Sequence, residues 1–420
     1  MKTIREAQEI ILGHTRRLEA ETVPLEEALG RVLAEDVASN RNHPPYDISA
    51  MDGYAVRSED IESASRKEPV LLEVVDDIRA GAEPACDVKS GQASRIMTGA
   101  PVPAGADTVI RVEDTDCDEK RVKIFVPARE GANIRRLGEN LRKGERVLKS
   151  GTEIGPAEVG ILAMVKKAKV NVYRRPRVAI LSTGDELEGL DEPLNERKIP
   201  DANSYTVMAE LQAIGVEPVL LGIARDTRES LEKKLRQGLD YDALIVSGGV
   251  SVGHHDFVRP TLAALGIQMH FWRVAIRPGH PFAFGTGKDI LVFALPGNPV
   301  SSMVCCEQFV IPAMRRMLGA KKLFRRTVSA TLAEDVKDKK GRIHFMRVVL
   351  EQSDGGLVAR LAGSQGSGIL MSMVNADGLL IMPAECELLR KGTPVVVQLL
   401  HHTPFQEEPG ITTEGKTGHE

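Results

Sequence analysis

The chain has 420 residues, of which 42% are hydrophobic and 27% are charged, and its net charge is −4. This length predicts two to four domains, and the nearly balanced charge argues against nucleic acid or an anionic membrane as the main partner. Aromatic residues make up only 4% of the chain, which argues against a base-stacking platform for single-stranded nucleic acid.

The five cysteines show no C-x-x-C pair and no ligand-like spacing, so we expect reduced thiols rather than disulfides or a zinc site. The N-terminal sequence carries charges at helical spacing and lacks the apolar core of a signal peptide. No apolar run approaches membrane-spanning length, so we expect no membrane segment and a cytoplasmic location.

The first 40 residues show helical patterns. An amphipathic helix is predicted over residues 3–20, with a shared apolar face made by Ile4, Ala7, Ile11 and Leu18. Residues 23–37 predict a short second helix that ends near Gly30 and is followed by extended chain.

Short apolar runs separated by Gly and Pro follow from about residue 40 to residue 140 and predict strands. A helical pattern returns at residues 157–168. The segment from 40 to 140 is therefore predicted to be rich in β-structure.

From residue 177 to about 320 the pattern alternates between strands and helices. The apolar runs that predict buried strands are 177–182, 218–223, 242–247 and 290–295. Asp226 is predicted to cap the helix that follows the second of these strands, with Glu229 as its capping-box partner. The alternation predicts a doubly wound, mostly parallel sheet with helices on both faces, that is, an α/β domain.

After a basic segment at residues 319–326, strands recur at short spacing up to about residue 400. This spacing predicts a small all-β barrel or a sandwich and leaves both open. The tail at 403–420 has little apolar content and is predicted to be disordered. The predicted fold class is therefore multidomain, α/β plus β.

Ligands bind at the carboxyl ends of the strands in a doubly wound sheet, so the loops after the strands are candidate binding loops. Three of these loops combine Gly or Pro with Ser or Asn and suit phosphate binding; they contain Ser182, Thr183, Gly184, Ser247, Gly248, Gly249, Ser251, Gly253, Pro296, Gly297, Asn298 and Pro299. Acidic residues in these and the neighbouring loop are suited to Mg²⁺ bridging to the phosphate; they are Asp185, Glu186, Asp226 and Asp256. A single loop of this kind is often only a turn or a helix cap, but four at one edge favour a binding crevice.

Arg273 and Arg277 lie four residues apart on an apparent strand and are predicted to share one face. Two arginines on one face favour binding of phosphate or another oxyanion, and the alternative is a solvated strand face. In the β-rich segment, Asp52 lies in a loop that is either a turn or part of a site.

Several long motifs occur in a specific order along the chain: SAMDGYAV, RIMTGAPVPAGADTV, IRRLGEN, LSTGDEL, DANSYTV, SGGVSVGHHDF, RPGHPFAFG, LPGNPVSS and GSQGSGIL. With these motifs the chain resembles the molybdopterin molybdenumtransferase family, which includes MoeA and the C-terminal part of gephyrin. The resemblance extends from the first helix to about residue 400.

The resemblance implies a division into an N-terminal helix at 1–20 packed on the α/β domain, a mixed linker domain from 21–44 and 141–175, a β-rich lobe at 45–140, a molybdopterin-binding α/β domain at 176–326 and a C-terminal β-barrel at 327–402. It also implies an elongated homodimer. The active cleft would then lie between the α/β domain of one subunit and the β-rich lobe of the other.

The implied reaction is the Mg²⁺-dependent insertion of molybdate into adenylylated molybdopterin, with release of AMP. The functional acids of the family match Asp52, Glu186, Asp226 and Asp256, and its other functional positions match Thr98, Arg135, Pro296, Pro299 and Ser367. On this basis Asp226, Asp256 and Glu186 are expected to hold Mg²⁺, and Arg273 and Arg277 to hold the oxyanion. The enzyme that adenylylates molybdopterin is a candidate partner.

The chain departs from the family pattern at Asn140, where an acid is expected, and at Arg273 and Arg277, where lysine is common in bacterial relatives. The alternative interpretation is therefore a molybdopterin-binding scaffold, or a paralogue that prefers tungstate or is weakly active. A third interpretation assigns the preceding adenylylation step, but enzymes of that class resemble the α/β domain alone.

Overall fold

The computed structural model of the protein describes residues 1–249 and 257–400. The predicted disordered tail at 403–420 lies outside the described residues. Among the residues that are described, none belongs to a helix long and apolar enough to cross a membrane.

The N-terminal helix spans Ile4–His14, and Thr3 caps it by accepting a hydrogen bond from the Glu6 backbone N–H. All four residues of the predicted apolar face are buried in one large cluster that includes helix 311–317 and the neighbouring turn. Leu18 is buried there although it lies beyond the helix, because an extended segment carries it to the Met317 carbonyl. The predicted helix and its face are confirmed, but the helix ends earlier than residue 20.

The short helix predicted to run from residue 23 to near Gly30 is wrong. Strand Ala20–Pro24 pairs with strand Lys169–Tyr173, and only a single 3₁₀ turn, Leu25–Glu27, follows. Leu33 is buried by pairing with residues near 152 and 172, which come from a distant part of the chain. Leu33 belongs to the extended chain predicted after Gly30, whereas the start of the predicted helix is extended because Val23 and Pro24 pair with Val170 and Lys169. The remaining elements here are strands Val37–Ala38 and Arg146–Leu148 and helix Pro156–Met164.

The β-rich segment forms a five-stranded sheet with a core of its own. In spatial order its strands are Thr108–Arg111, Gly53–Val56, Gln92–Ile96, Val70–Ile78 and Arg121–Ile124. A short pair, Ile48–Ser49 with Ile134–Arg135, lies beside it. These strands all fall within the range 45–140 that we call the β-rich lobe.

The α/β domain contains a six-stranded sheet, in which four strands pair in parallel and two more are added at one edge by antiparallel pairing. In spatial order the strands are Glu217–Ala224, Arg177–Thr183, Ala243–Ser247, Leu291–Leu295, Ala283–Thr286 and Gln268–Phe271. The helices are Ala202–Gln212, Arg228–Gly238, Val258–Ala264 and Pro299–Cys305, the last continuing through a π-helical turn, Cys306–Val310, into Ile311–Met317.

Both faces of this sheet are covered, as the continuous apolar runs predict. Val178 and Ile180 lie in the cluster that contains the N-terminal helix, whereas Ala179 and Leu181 lie in a second cluster on the opposite face. Because side chains alternate along a strand, each strand contributes to two cores. The predicted doubly wound, mostly parallel sheet is confirmed.

Two local predictions within this domain are wrong. Thr227, and not Asp226, caps helix Arg228–Gly238, because the Thr227 hydroxyl accepts from the Ser230 backbone N–H at 3.3 Å. Arg273 and Arg277 do not share a strand: the edge strand ends at Phe271, and Arg277 belongs to a two-residue strand that pairs with Ile343 and His344 of another sheet.

The C-terminal segment forms a closed barrel of five strands, which decides between the barrel and the sandwich. Its strands are Thr327–Leu332, Ile343–Ser353, Gly356–Leu361, Gly378–Met382 and Pro394–Leu399. The long second strand pairs with both the third and the fourth, and this closes the ring. Shorter elements are strands Val336–Lys337 and Leu388–Leu389, and helix Met371–Val374.

Two acidic residues, Glu210 and Glu307, interact between two helical segments of the α/β domain. Arg325 binds Glu307 through two hydrogen bonds of 2.8 and 2.9 Å, while the Glu210 Oε2 atom is shielded from solvent and has no hydrogen-bond partner among the described residues. Burial, and then the charge of Glu307, raise the pKa of Glu210 well above its usual range. Glu210 is therefore expected to be protonated at a pH where an exposed glutamate is ionised.

Replacing Glu210 with glutamine should flatten the pH dependence of stability. A carboxyl group whose pKa is higher in the folded than in the unfolded protein contributes to the stability of the fold at a pH below its unfolded-state pKa. This contribution is lost as the pH rises through its folded-state pKa. We expect Glu210→Gln to raise the thermal unfolding midpoint at pH 8 and to change it little at pH 4.5. Parallel curves for wild type and variant would contradict this expectation, and Glu9→Gln, at an exposed ion pair, provides the control.

Candidate functional site

The carboxyl ends of the parallel strands bring the predicted binding loops together. Ser182 lies opposite Ser247 in the strand register, and Ser247 lies opposite Leu295. The Gly248 backbone N–H donates to the Leu295 carbonyl at 3.1 Å, which holds two of the loops against each other. The loop residues 182–184, 247–249 and 296–299 therefore meet along one edge, while Ser251 and Gly253 lie outside the described residues.

Gly248 is required by the close approach of two strand ends. Its φ is +88°, and a Cβ atom at this position would lie 2.6 Å from the Thr183 carbonyl oxygen. A side chain would therefore be strained by its backbone conformation and would also push the two loops apart. This glycine permits the backbone to form the wall of the crevice.

Asn203, which was not among the predicted site residues, is hydrogen-bonded to two of these loops. Its Nδ2 atom donates to the Ser247 Oγ at 2.9 Å and to the Gly297 carbonyl at 2.8 Å. Its Oδ1 atom is shielded from solvent and has no partner among the described residues, and the same is true of the Thr183 Oγ1. Buried polar atoms without partners are rare in proteins, so both atoms are candidates to bind a ligand. The available signal was the motif DANSYTV, in which Asp201 caps a helix that begins directly beside the strand ends.

Asp185 and Asp226 are hydrogen-bonded to each other where strands Arg177–Thr183 and Glu217–Ala224 end. The Asp185 N–H donates to the Asp226 Oδ2 at 3.3 Å, and the Asp226 N–H donates to the Asp185 Oδ1 at 3.2 Å. The Glu186 carboxylate lies instead against Gly184, where it would be 2.5 Å from an added Cβ atom. Asp185, rather than Glu186, is thus the immediate neighbour of Asp226.

The described residues contain no cluster of three or more His, Cys, Asp or Glu side chains that could hold a metal ion by themselves. Asp256, the third expected ligand, lies outside the described residues. The observed acidic group therefore consists of the neighbouring Asp185 and Asp226, with Glu186 adjacent in the chain.

A pocket of about 420 Å³ lies between the α/β domain and the barrel, and we call it the junction pocket. Its polar and charged lining comes from Arg277, His280, Asn298, Ser301, Arg342, His344, Gln365 and Ser367. The two domains are joined directly here, because the Asn298 Nδ2 donates to the Ser367 Oγ at 3.1 Å and the Val300 N–H donates to the Ser367 carbonyl at 3.1 Å. Two arginines, two histidines and two hydroxyl groups around one space are suited to an oxyanion.

Arg277 is held at the wall of the junction pocket by a carboxylate. It forms an ion pair with Asp338, whose side chain is only 7% exposed and whose other oxygen lies 2.6 Å from the His344 Nδ1. Burial lowers the pKa of His344. Arg273 is exposed and does not line the pocket, so the structure separates the two arginines that the sequence paired.

Two of the predicted functional positions of the β-rich lobe, Asp52 and Thr98, are in direct contact. The Asp52 Oδ1 accepts hydrogen bonds of 2.7 Å from both the backbone N–H and the hydroxyl of Thr98, and these bonds lower the pKa of Asp52. Arg135 forms only a 3.7 Å ion pair with Glu139, and Asn140 is exposed. Within the described parts of the chain, no hydrogen bond or ion pair joins this lobe to the α/β domain.

Three family models match successive parts of the chain. Residues 2–165 match the MoeA N-terminal region (domain I and II), residues 179–316 match a probable molybdopterin binding domain, and residues 329–400 match the MoeA C-terminal region (domain IV).

Relatives match over nearly the whole chain. A molybdopterin molybdenumtransferase from Nostoc sp. is 36% identical over 413 residues, covering 94% of this chain and 93% of that protein. The molybdopterin molybdenumtransferase of Bacillus subtilis is 34% identical over 411 residues, covering 97% of this chain and 96% of that protein. The crystal structure of the molybdopterin biosynthesis moeA protein from Pyrococcus horikoshii OT3 superposes with a TM-score of 0.83 at 31% identity, covering 95% of this chain and all of that one.

Proposed function

The chain belongs to the molybdopterin molybdenumtransferase family, and we propose that it inserts molybdate into adenylylated molybdopterin and releases AMP. It is a transferase of molybdenum cofactor biosynthesis. The adenylylated substrate, the metal requirement and the leaving group are parts of the proposal.

The observation that carries the proposal is that one loop, residues 296–299, borders both the strand-end crevice and the junction pocket. Gly297 accepts a hydrogen bond from Asn203 on the crevice side, and Asn298 donates to Ser367 on the pocket side. A phosphorylated pterin in the crevice would therefore lie beside an oxyanion in the pocket. Holding two reactants side by side in this way is a large part of how enzymes accelerate group transfer.

In this proposal the junction pocket binds molybdate and the strand-end crevice binds the pterin. Arg277, His280 and Arg342 would hold molybdate by charge and hydrogen bonds, with Ser367 as an additional donor. The loops at 182–184, 247–249 and 296–299 would bind the pterin and its phosphates, and the free Oδ1 of Asn203 would accept a hydrogen bond from the pterin.

The acidic group at the strand ends fits Mg²⁺. This ion is commonly held by one or two carboxylates together with water and phosphate oxygens, and Asp185 and Asp226 supply two such carboxylates from neighbouring loops. We therefore place Asp185 and Asp226 first as ligands, with Glu186 and Asp256 as the other candidates. When bound, Mg²⁺ would withdraw charge from the phosphoanhydride that links the pterin to AMP.

The β-rich lobe would complete the site only in a homodimer, in which Asp52, Thr98 and Arg135 come from the second subunit. This part of the proposal is supported by the absence, among the described residues, of any hydrogen bond or ion pair between the lobe and the α/β domain. The cytoplasm as the location and the adenylylating enzyme as a partner stay predictions.

The test is to incubate the pure protein with adenylylated molybdopterin, molybdate and Mg²⁺, and to measure AMP together with reconstitution of a cofactor-free molybdenum enzyme. We expect stoichiometric AMP and active cofactor, and a strong loss of both after removal of Mg²⁺ with EDTA. If pterin binding occurs without AMP release, the proposed reaction is wrong.

The second candidate is a molybdopterin-binding scaffold, or an enzyme that is weakly active or prefers tungstate. It is favoured by one observation, the neutral amide of Asn140 in an exposed loop of the lobe where the family pattern has an acid. This candidate predicts pterin binding with little AMP release, and gain of turnover in Asn140→Asp. Parallel assays with tungstate would reveal a preference for that oxyanion.

A further inference from the structure

Cys305 lies directly behind one wall of the junction pocket. Its side chain is fully buried, and its Sγ donates to the Gly279 carbonyl at 3.4 Å. Gly279 has a φ of +107°, and a Cβ atom added to it would overlap the Cys305 Sγ. The backbone of the pocket wall therefore rests on the thiol, with no side chain between them.

The contact between Cys305 and Gly279 lies beside residues that line the junction pocket. Gly279 lies between Arg277 and His280, two of the basic groups that line the pocket, and Ser301 lines the pocket one helical turn before Cys305. The thiol thus links the wall that carries Arg277 and His280 to the helix that carries Ser301. Burial strongly raises the pKa of Cys305, so the thiol remains protonated and able to donate.

We propose that Cys305 is a positioning residue, which sets the distance between the basic wall of the junction pocket and its helical wall and thereby the affinity for a tetrahedral oxyanion. The inference deepens the proposed function and rests on it, because it concerns the oxyanion side of the same site. Cys305 itself does not contact the oxyanion.

The adjacent Cys306 provides a matched control. It is equally buried in the same helix, but it contacts Glu210 instead of the pocket wall. An alanine at either position removes one buried sulfur and creates a similar void. Only the change at Cys305 also frees the Gly279 carbonyl and the wall that bears the arginine.

The experiment measures equilibrium binding of molybdate and tungstate to the full-length protein by isothermal titration calorimetry, alongside AMP release. We expect Cys305→Ala to weaken molybdate binding and to raise KM for molybdate about three- to tenfold, with kcat and affinity for the adenylylated pterin changed less than twofold. Cys305→Ser, which restores a donor, should recover part of this loss. Cys306→Ala should lower the unfolding midpoint as Cys305→Ala does, but should leave molybdate affinity unchanged.

Failure of the inference can be told apart from failure of the proposed reaction. If the wild type binds molybdate but releases no AMP, the reaction is wrong, and the binding data alone still decide the role of Cys305. Equal effects of the two alanine variants on molybdate affinity would reduce Cys305 to a packing residue and overturn the inference. Absence of any oxyanion binding by the wild type would overturn it as well.

Discussion

Replacing Arg277 with alanine is expected to lower cofactor formation at limiting molybdate by about 100- to 1,000-fold, the range found when one hydrogen-bond donor to a reacting oxyanion is removed. The effect should exceed the loss of one cation because Asp338 remains. This carboxylate is 7% exposed and paired to Arg277 and His344, so removal of the guanidinium leaves a poorly solvated negative charge beside the pocket. The local field would then repel the oxyanion that it is proposed to attract.

The measurement is KM for molybdate and kcat for AMP release, with binding of the adenylylated pterin as a control that should change little. Arg277→Lys keeps the charge but loses the two-pronged guanidinium, and about a tenfold loss is expected. Arg273→Ala distinguishes the structure from the sequence-based pairing, because Arg273 does not line the pocket. If Arg273→Ala and Arg277→Ala lower activity at limiting molybdate equally, both arginines contribute as the sequence predicted. That result would count against the junction pocket as the oxyanion site.

Replacing Arg347 with methionine is expected to give the largest loss of stability in the barrel. Arg347 is fully buried, and burial lowers its pKa to about 10. No carboxylate of the described residues forms an ion pair with it; its Nε donates to the Ser372 Oγ at 3.1 Å and its Nη2 to the Gly366 carbonyl at 3.1 Å, while Nη1 has no partner there. The guanidinium thus fixes the loop that leads into Ser367.

Methionine fills a similar volume but leaves the Ser372 hydroxyl and the Gly366 carbonyl without their arginine donor, and each buried polar group left without a partner costs about 1–3 kcal/mol. We expect the free energy of unfolding of the barrel to fall by about 2–4 kcal/mol in urea titrations, together with a rise in KM for molybdate, since the loop lines the junction pocket. Arg360→Met, at an exposed ion pair of the same barrel, is the control and should change stability by less than about 1 kcal/mol. A variant at Arg347 as stable as the wild type would show that the buried guanidinium is dispensable.

The chain also shows why the acids of the strand ends need a ligand to act. Asp185 and Asp226 are held in position by each other's backbone N–H groups, and no basic side chain of residues 1–249 or 257–400 forms an ion pair with either carboxylate. Two neighbouring carboxylates repel each other unless a cation lies between them. This supports the proposed Mg²⁺ more directly than the presence of several acids in the sequence does.

The sequence by itself determined the α/β domain and the edge at which its binding loops meet. The strands at 177–183 and 243–247 are apolar on both faces, and the helices between them are amphipathic, so their periodicity is a local property of the chain. The convergence of Ser182 and Ser247 follows from parallel topology alone, because the carboxyl ends of neighbouring parallel strands lie at one edge. The motifs added the family and its reaction.

The tertiary structure alone decided how distant segments combine. The short helix expected from residue 23 to near Gly30 is replaced by a strand that pairs with Lys169–Tyr173 and a single 3₁₀ turn, Arg277 lies in a strand of the barrel sheet, and Cys305 lies against Gly279. These contacts join residues that no period or spacing relates, so no local pattern could reveal them. They form because backbone groups and buried side chains must find partners anywhere in the folded chain, and the available partners are known only once all the domains have packed.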